Sequence, residues 1–330
     1  MFGKAERARS AILRVLAESA GPLGAERIVA SLLAAGVDLS PRTVRLHLLE
    51  LDRKGLTRLV NRRAGRTITR EGREETGRAD VITKVGVVSA RVDALTYRMT
   101  FDARRGARTV VVNAALLHPA NLEPALAETR RVLREQLGIA NRVVVARAGE
   151  QIGGVAVPPG FVGIGTLCSV TMNGILLHRG IPVTSRFGGL LEVRDRRPLR
   201  FVELIEYRGS SLDPLEVFIQ AGMTRVRDVL RQGSGVICAG FREIPAPAAE
   251  DAQALVRELR PLGIGGIVAV GRPNQPLFGI PVADGHAGLV VVGGLNPIAA
   301  VREAGYAVRI RSLAGLEDFA RLQPVEAAGR

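Results

Sequence analysis

Cysteine, histidine and long apolar runs are all scarce in this chain, and each scarcity removes a class of function. Of 330 residues only Cys168 and Cys238 are cysteines, which gives no disulfide framework and no pair at metal-ligand spacing. The four histidines, His47, His118, His178 and His286, are scattered and offer neither thiol a neighbouring base in sequence. The amino terminus, MFGKAERARS, has no apolar stretch of the kind that directs secretion. The longest apolar run, HAGLVVVGGLNPIAAV, is short and broken by Asn-Pro. Together these predict a soluble, cytoplasmic protein in a reducing compartment, with no metal, no cofactor and no membrane contact.

What is present is an ordinary globular composition, 47% hydrophobic and 24% charged, in a chain long enough for two or three domains. The net charge is +14, and its distribution matters more than its size. Residues 1–78 carry 16 Lys+Arg against 9 Asp+Glu, a net of +7; the other 252 residues carry 30 against 23, also +7. Half of the excess therefore lies in a quarter of the length. A solvated basic surface is one reading of it. The concentration favours a polyanionic partner for the amino-terminal segment.

Apolar periodicity in that segment predicts helices over 6–19 and 25–34, the second ending at Gly36. The third is the clearest: SPRTVRLHLLELDRKG opens with Ser40 as N-cap and Pro41 at the first helical position, and closes at Gly55. Val44, Leu48 and Leu51 share one face, which turns Arg42, Arg45, Leu46, Leu49 and Arg53 elsewhere. Then LTRLVNRRAGRTITREG reads as a β-hairpin with Arg62, Arg63 and Arg66 near its tip. Three helices and a basic hairpin make a winged helix-turn-helix over 1–78. Its candidate DNA contacts are Ser40, Arg42, Thr43, Arg45 and His47 in the major groove, with Arg62, Arg63 and Arg66 on the wing. Some winged helices bind protein instead.

Residues 79–330 match themselves at an offset of 125. GIANRVVVARAGEQIGGVAVPPGFVGI (138–164) lies on GIGGIVAVGRPNQPLFGIPVADGHAGL (263–289) with 9 identities in 27, and the register continues on both sides. This predicts an α/β domain of two duplicated β-α-β-β-α-β halves, about 107–184 and 232–309, related by a pseudo-twofold axis. The lead segment KVGVVSARVDALTYRMTFD (84–102) reads as strand-forming. Between the halves, a β-hairpin and two short helices are expected.

At the offset, Cys168-Ser169-Val170-Thr171 falls on Gly293-Gly294-Leu295-Asn296. Both are strand-to-helix turns of small residues, and in the second Asn296 reads as N-cap with Pro297 after it. The second copy has no thiol; what the two share is a helix N-terminus with free N–H groups, suited to a carboxylate or phosphate. Tight packing alone also explains such glycines. An enzyme with Cys168 as nucleophile, and a purely structural module that binds nothing, are the other readings.

The stretches TVRLHLLELDRKGLT, GTLCSVTMNGILLHRGIPV, FGGLLEV, SSLDPLEVFIQAGMT, FREIPA and VVVGGLNPIAAVREAG together resemble the archaeal NrpR family, repressors of nitrogen-assimilation genes. The resemblance spans about residues 6–320. It implies a homodimer that holds palindromic double-stranded operator DNA when nitrogen is plentiful and is released by 2-oxoglutarate. Some family members carry two effector domains in tandem, and this chain has one. Carried over by position, Cys168, Ser169, Val170 and Thr171 are the expected effector contacts, with Gly293, Gly294 and Asn296 as second choice. Arg242, Arg208 and Arg186 are candidates for the far carboxylate. A repressor of the same build sensing another anionic metabolite, such as citrate or a phosphate ester, is the nearest alternative.

Overall fold

The structure is a computed structural model that describes residues 4–329 apart from 20, 35, 36, 38, 62, 84 and 85. The chain forms two compact units, Met1–Val85 and Gly86–Arg330.

The first unit runs α1 (Lys4–Glu18), α2 (Ala25–Ala34), α3 (Pro41–Arg53), β1 (Thr57–Asn61), β2 (Gly65–Ile68) and α4 (Arg70–Thr83). Its helices form because each repeats apolar residues on one face. Ile12, Leu13 and Leu16 meet Ile28, Leu32, Val44, Leu48 and Leu51 in one buried cluster. Burying each such side chain favours folding by about 1.5–3 kcal/mol. Ser40 caps α3 as expected, its hydroxyl accepting from Thr43 N–H at 3.1 Å with Pro41 next in line. The hairpin is antiparallel, with Thr57 opposite Ile68, and the Leu23 backbone adds a bridge to Arg66. Gly65 is required there: its φ is +96°, and a Cβ would lie 2.2 Å from the Leu23 carbonyl oxygen. α4 runs through residue 78, where the composition changes. The predicted helix end at Gly36 falls outside the described residues.

The second unit opens with α5 (Val87–Arg98), then β3 (Thr109–Leu117), α6 (Leu122–Arg134), β4 (Arg142–Ala146), a small hairpin of β5 (Gln151–Ile152) and β6 (Val155–Ala156), β7 (Val162–Leu167), α7 (Val170–His178) and β8 (Thr184–Arg194). A second run follows β9 (Arg197–Glu206), α8 (Pro214–Gln220) and α9 (Val226–Gln232). It comprises β10 (Gly235–Pro245), α10 (Ala249–Leu259), β11 (Ile267–Val270), β12 (His286–Val292), α11 (Asn296–Glu303) and β13 (Arg309–Asp318), with β14 (Gln323–Pro324) last. α5 corrects the strand expected over 84–102. Val88, Val92 and Leu95 are its buried residues, at helical spacing, and this pattern outweighs the β-branched content.

Two five-stranded antiparallel sheets carry the unit, in the orders β13-β3-β7-β4-β14 and β11-β12-β10-β8-β9. The last strand of each run sits in the other sheet. β8 pairs with β10 from Gly235↔Val193 onward, and β13 pairs with β3 from Asp318↔Thr109. Neither sheet is therefore complete without strands from both halves of the chain. A single hydrophobic core extends through both sheets and their helices.

Candidate functional site

α3 presents the arrangement that groove recognition requires. Its buried residues are Val44, His47, Leu48 and Leu51, leaving Arg42, Arg45, Leu46, Leu49 and Arg53 exposed. Arg42 makes no ion pair among the described residues, and Arg45 lies 3.8 Å from the exposed Glu26 carboxylate, a contact too solvated to hold it. Thr43 is half-buried, and its hydroxyl shares a 2.8 Å hydrogen bond with Ser40. Two expected contacts turn inward. His47 is buried, 3.7 Å from Glu50, because its position falls on the core side of the helix. Arg66 donates to Asp52 at 2.7 Å, and the same carboxylate accepts from the Thr57 hydroxyl at 2.6 Å, so Arg66 ties the hairpin to α3. Arg63 stays exposed at the hairpin tip, where the Asn61 side chain accepts from the N–H groups of Arg63 and Ala64. Arg62 falls outside the described residues. Arg58, exposed on β1, adds a cation that hairpin-tip reasoning passed over.

The turn at 168–171 lies between β7 and α7, and all four of its residues are buried. The Cys168 N–H donates to Val111, and the Thr171 hydroxyl accepts from Val111 N–H at 3.1 Å and donates to its carbonyl at 2.9 Å. Thr171 thus pins the helix start to β3. The Cys168 thiol is pushed up to about 12 by burial, a shift that the Asp213 charge reinforces. The Val170 N–H, Arg242 and Ser169 oppose it without prevailing. The thiol stays protonated at neutral pH, which removes the nucleophile reading. What remains beside the sulfur are the Val170 N–H and the Ser169 side chain, with the charge of Arg242 acting on it through space.

That cation is the central observation. Arg242, on β10, is 1% exposed and makes no ion pair among the described residues. Its Nε donates to Asn173 Oδ1 at 2.6 Å and its Nη1 to the Gly240 carbonyl at 3.2 Å, while Asn173 donates to Ser185 Oγ at 3.0 Å. Burial lowers its pKa, yet a guanidinium does not lose its proton in a protein. A buried charge without a counter-charge costs several kcal/mol. The neighbouring Tyr207 supplies no counter-charge at neutral pH, because burial holds the hydroxyl well above its usual range. Asn173, Ser185, Tyr207 and Asp213 were missed in the sequence because they lie on four separate segments.

The second turn is not an open cradle. A Cβ on Gly294 would stand 2.2 Å from the Leu167 carbonyl oxygen and 3.0 Å from Cys168 Cα, so the two turns pack directly on each other. Gly293 abuts Cys238 as closely. Asn296 does not cap its own helix; its Oδ1 accepts from Cys238 N–H at 2.9 Å, and its Nδ2 donates to the carbonyls of Cys238 and Leu137. Of the other arginines, Arg186 holds Glu243 at 2.7 Å and Arg208 is exposed. Among the three candidates only Arg242 is a buried cation without an ion pair among the described residues, and it is tied to α7 through Asn173.

Residues 85–324 match the family model described as NrpR regulatory domains NRD1 and 2, and residues 10–76 match the ribonuclease R winged-helix domain. The chain belongs to the NrpR family. Global nitrogen regulator NrpRI of Methanosarcina mazei is 34% identical to it over 97% of this chain and 98% of its own length. Global nitrogen regulator NrpR of Methanococcus maripaludis is 29% identical over 94% of this chain, which spans 54% of that relative. The solved structure of a nitrogen repressor-like protein from Methanococcus jannaschii shares 27% identity at a TM-score of 0.62, covering 73% of this chain and 98% of that one. The expected combination of a winged helix with an NrpR-type α/β domain is thereby borne out. NrpR-family relatives are named as regulators, in agreement with the non-enzymatic role expected from the sequence.

Proposed function

We propose that this NrpR-family chain is a homodimeric, cytoplasmic repressor of nitrogen-assimilation genes. It holds double-stranded operator DNA through α3 and the hairpin, and releases it when 2-oxoglutarate binds beside Cys168–Thr171 and Arg242. The observation that carries the effector half is the buried guanidinium of Arg242 without a carboxylate partner. A dicarboxylate supplies the missing counter-charge, and its oxygens suit the Val170 N–H and the Ser169 hydroxyl. Cys168 then serves by being small. Because the turn and Arg242 are buried, a ligand reaches them only if the packing above them opens, so occupancy is coupled to a change of shape. The two runs of strands and helices at a 125-residue offset fit an ancestral doubling in which one turn kept the ligand and the other became a packing contact.

The test is operator binding by fluorescence anisotropy at fixed salt, with and without 2-oxoglutarate. The wild type is expected to lose affinity as 2-oxoglutarate rises, and Arg242→Met to bind operator normally with no response. Citrate and inorganic phosphate are the control anions. A surface cleft of about 450 Å³ at the far end of α7, lined by Arg104, Arg108, His178 and Arg179, is the control site. If Arg104→Ala removes the response and Arg242→Met keeps it, the ligand sits in that cleft and the assignment fails.

A further inference from the structure

The homodimer reading leaves open which surface joins the copies, and we propose that it is β9, laid antiparallel against β9 of a second copy. The strand ends its sheet, with β8 on one side and no strand on the other among the described residues. It also exposes apolar surface: Leu199 is 45% accessible, and Val202 and Leu204 are 41% accessible. The register of β8 against β9 slips at Val202, which has no partner between Phe201↔Leu191 and Glu203↔Leu190. A second slip leaves Leu199 without a partner between Arg200↔Glu192 and Pro198↔Val193, and Leu199, Val202 and Leu204 are all exposed. An exposed apolar end strand of this kind is a surface that soluble proteins normally cover.

Charge selects the occupant. The strand reads RPLRFVELIE, with Arg197 and Arg200 at one end and Glu203 and Glu206 at the other. An antiparallel second copy brings the Arg197 and Arg200 end of each strand beside the Glu203 and Glu206 end of the other, twice over, around an apolar centre. A parallel arrangement would oppose like charges throughout. Arg197, Glu203 and Glu206 make no ion pair among the described residues and are free to do this, whereas Arg200 already holds Glu192 at 2.9 Å. The surface is self-complementary, the condition for a twofold interface. Side chains carry the contact, since the Phe201 N–H is already donated to the Phe278 carbonyl.

This inference rests on the homodimer reading, and the experiment separates the two. The full chain, Arg197→Glu, Glu206→Arg and an equimolar mixture of the two variants are compared by light scattering after size exclusion, with thermal unfolding to show that each is folded. The wild type is expected to be dimeric, and each variant to weaken the dimer about tenfold or more through like charges at both ends. The mixture is expected to recover the dimer, because each reversed arginine site then faces a reversed glutamate site. A wild type that stays monomeric at micromolar concentrations overturns the homodimer reading. Variants that remain as dimeric as the wild type overturn β9 while leaving that reading intact. A mixture no more dimeric than its components overturns the antiparallel pairing.

Discussion

At the scale of single residues, burial is the first cause of the pKa shifts at Cys168, Tyr207, Asp213, Cys238 and Arg242. Asp213 shows the consequence for pH. Its folded pKa of about 6 lies above the usual 3.8, so the folded state holds the proton more tightly than the unfolded chain. Its contribution favours folding at low pH and is lost as pH rises from about 4 through about 6, by roughly 3 kcal/mol. Asp213→Asn keeps the cap, in which the side chain accepts from Leu215 and Glu216 N–H, and removes the titration. Urea unfolding of this variant should therefore vary less between pH 4 and 7 than in the wild type. Arg42 and Arg45 are the exposed cations at the start of α3. Replacing either by alanine should weaken operator binding by about 1–3 kcal/mol while leaving the response to 2-oxoglutarate unchanged. Unaltered operator affinity in a titration of both variants would dismiss their place in the groove.

At the scale of elements, legibility followed how local the cause was. α3 was readable to its first residue because Ser40, Pro41 and the apolar spacing all lie within one stretch. The hairpin was readable as a hairpin, but Arg66 was misassigned because Asp52, fourteen positions away, decides where its guanidinium goes. The same holds for Asn296, whose amide serves Cys238 across the sheet instead of its own helix. α5 was readable in principle, since Val88, Val92 and Leu95 stand at helical spacing; valine content obscured it. The candidate effector site was half legible: the Cys168 turn stands out locally, whereas its pairing with Arg242 depends on strand exchange that no local pattern records. The Asp52 anchor gives an element-scale test. Asp52→Ala leaves Arg66 and Thr57 without their acceptor and should destabilise the first unit by about 1–3 kcal/mol. The loss should appear as faster amide hydrogen exchange in β1 and β2, ahead of α1.

At the scale of the whole molecule, the function proposed above requires a ligand that favours one arrangement strongly. Moving the balance from 1:99 to 99:1 takes roughly 5.5 kcal/mol of differential binding, or about 2.8 for each of two sites in a dimer. The two turns pack directly on each other, with no room for added bulk at Gly294. Gly294→Ala pushes a methyl group into the Leu167 carbonyl and should cost about 1–3 kcal/mol of stability, measured as a lowered Tm. Exchange of the closing strands adds a mechanical property. α7 hands the chain to β8 in one sheet, and α11 hands it to β13 in the other. The sheets are in effect geared together: turning either helix displaces a strand beside the opposite half's first strand, so a movement begun at one turn cannot stay on its own side.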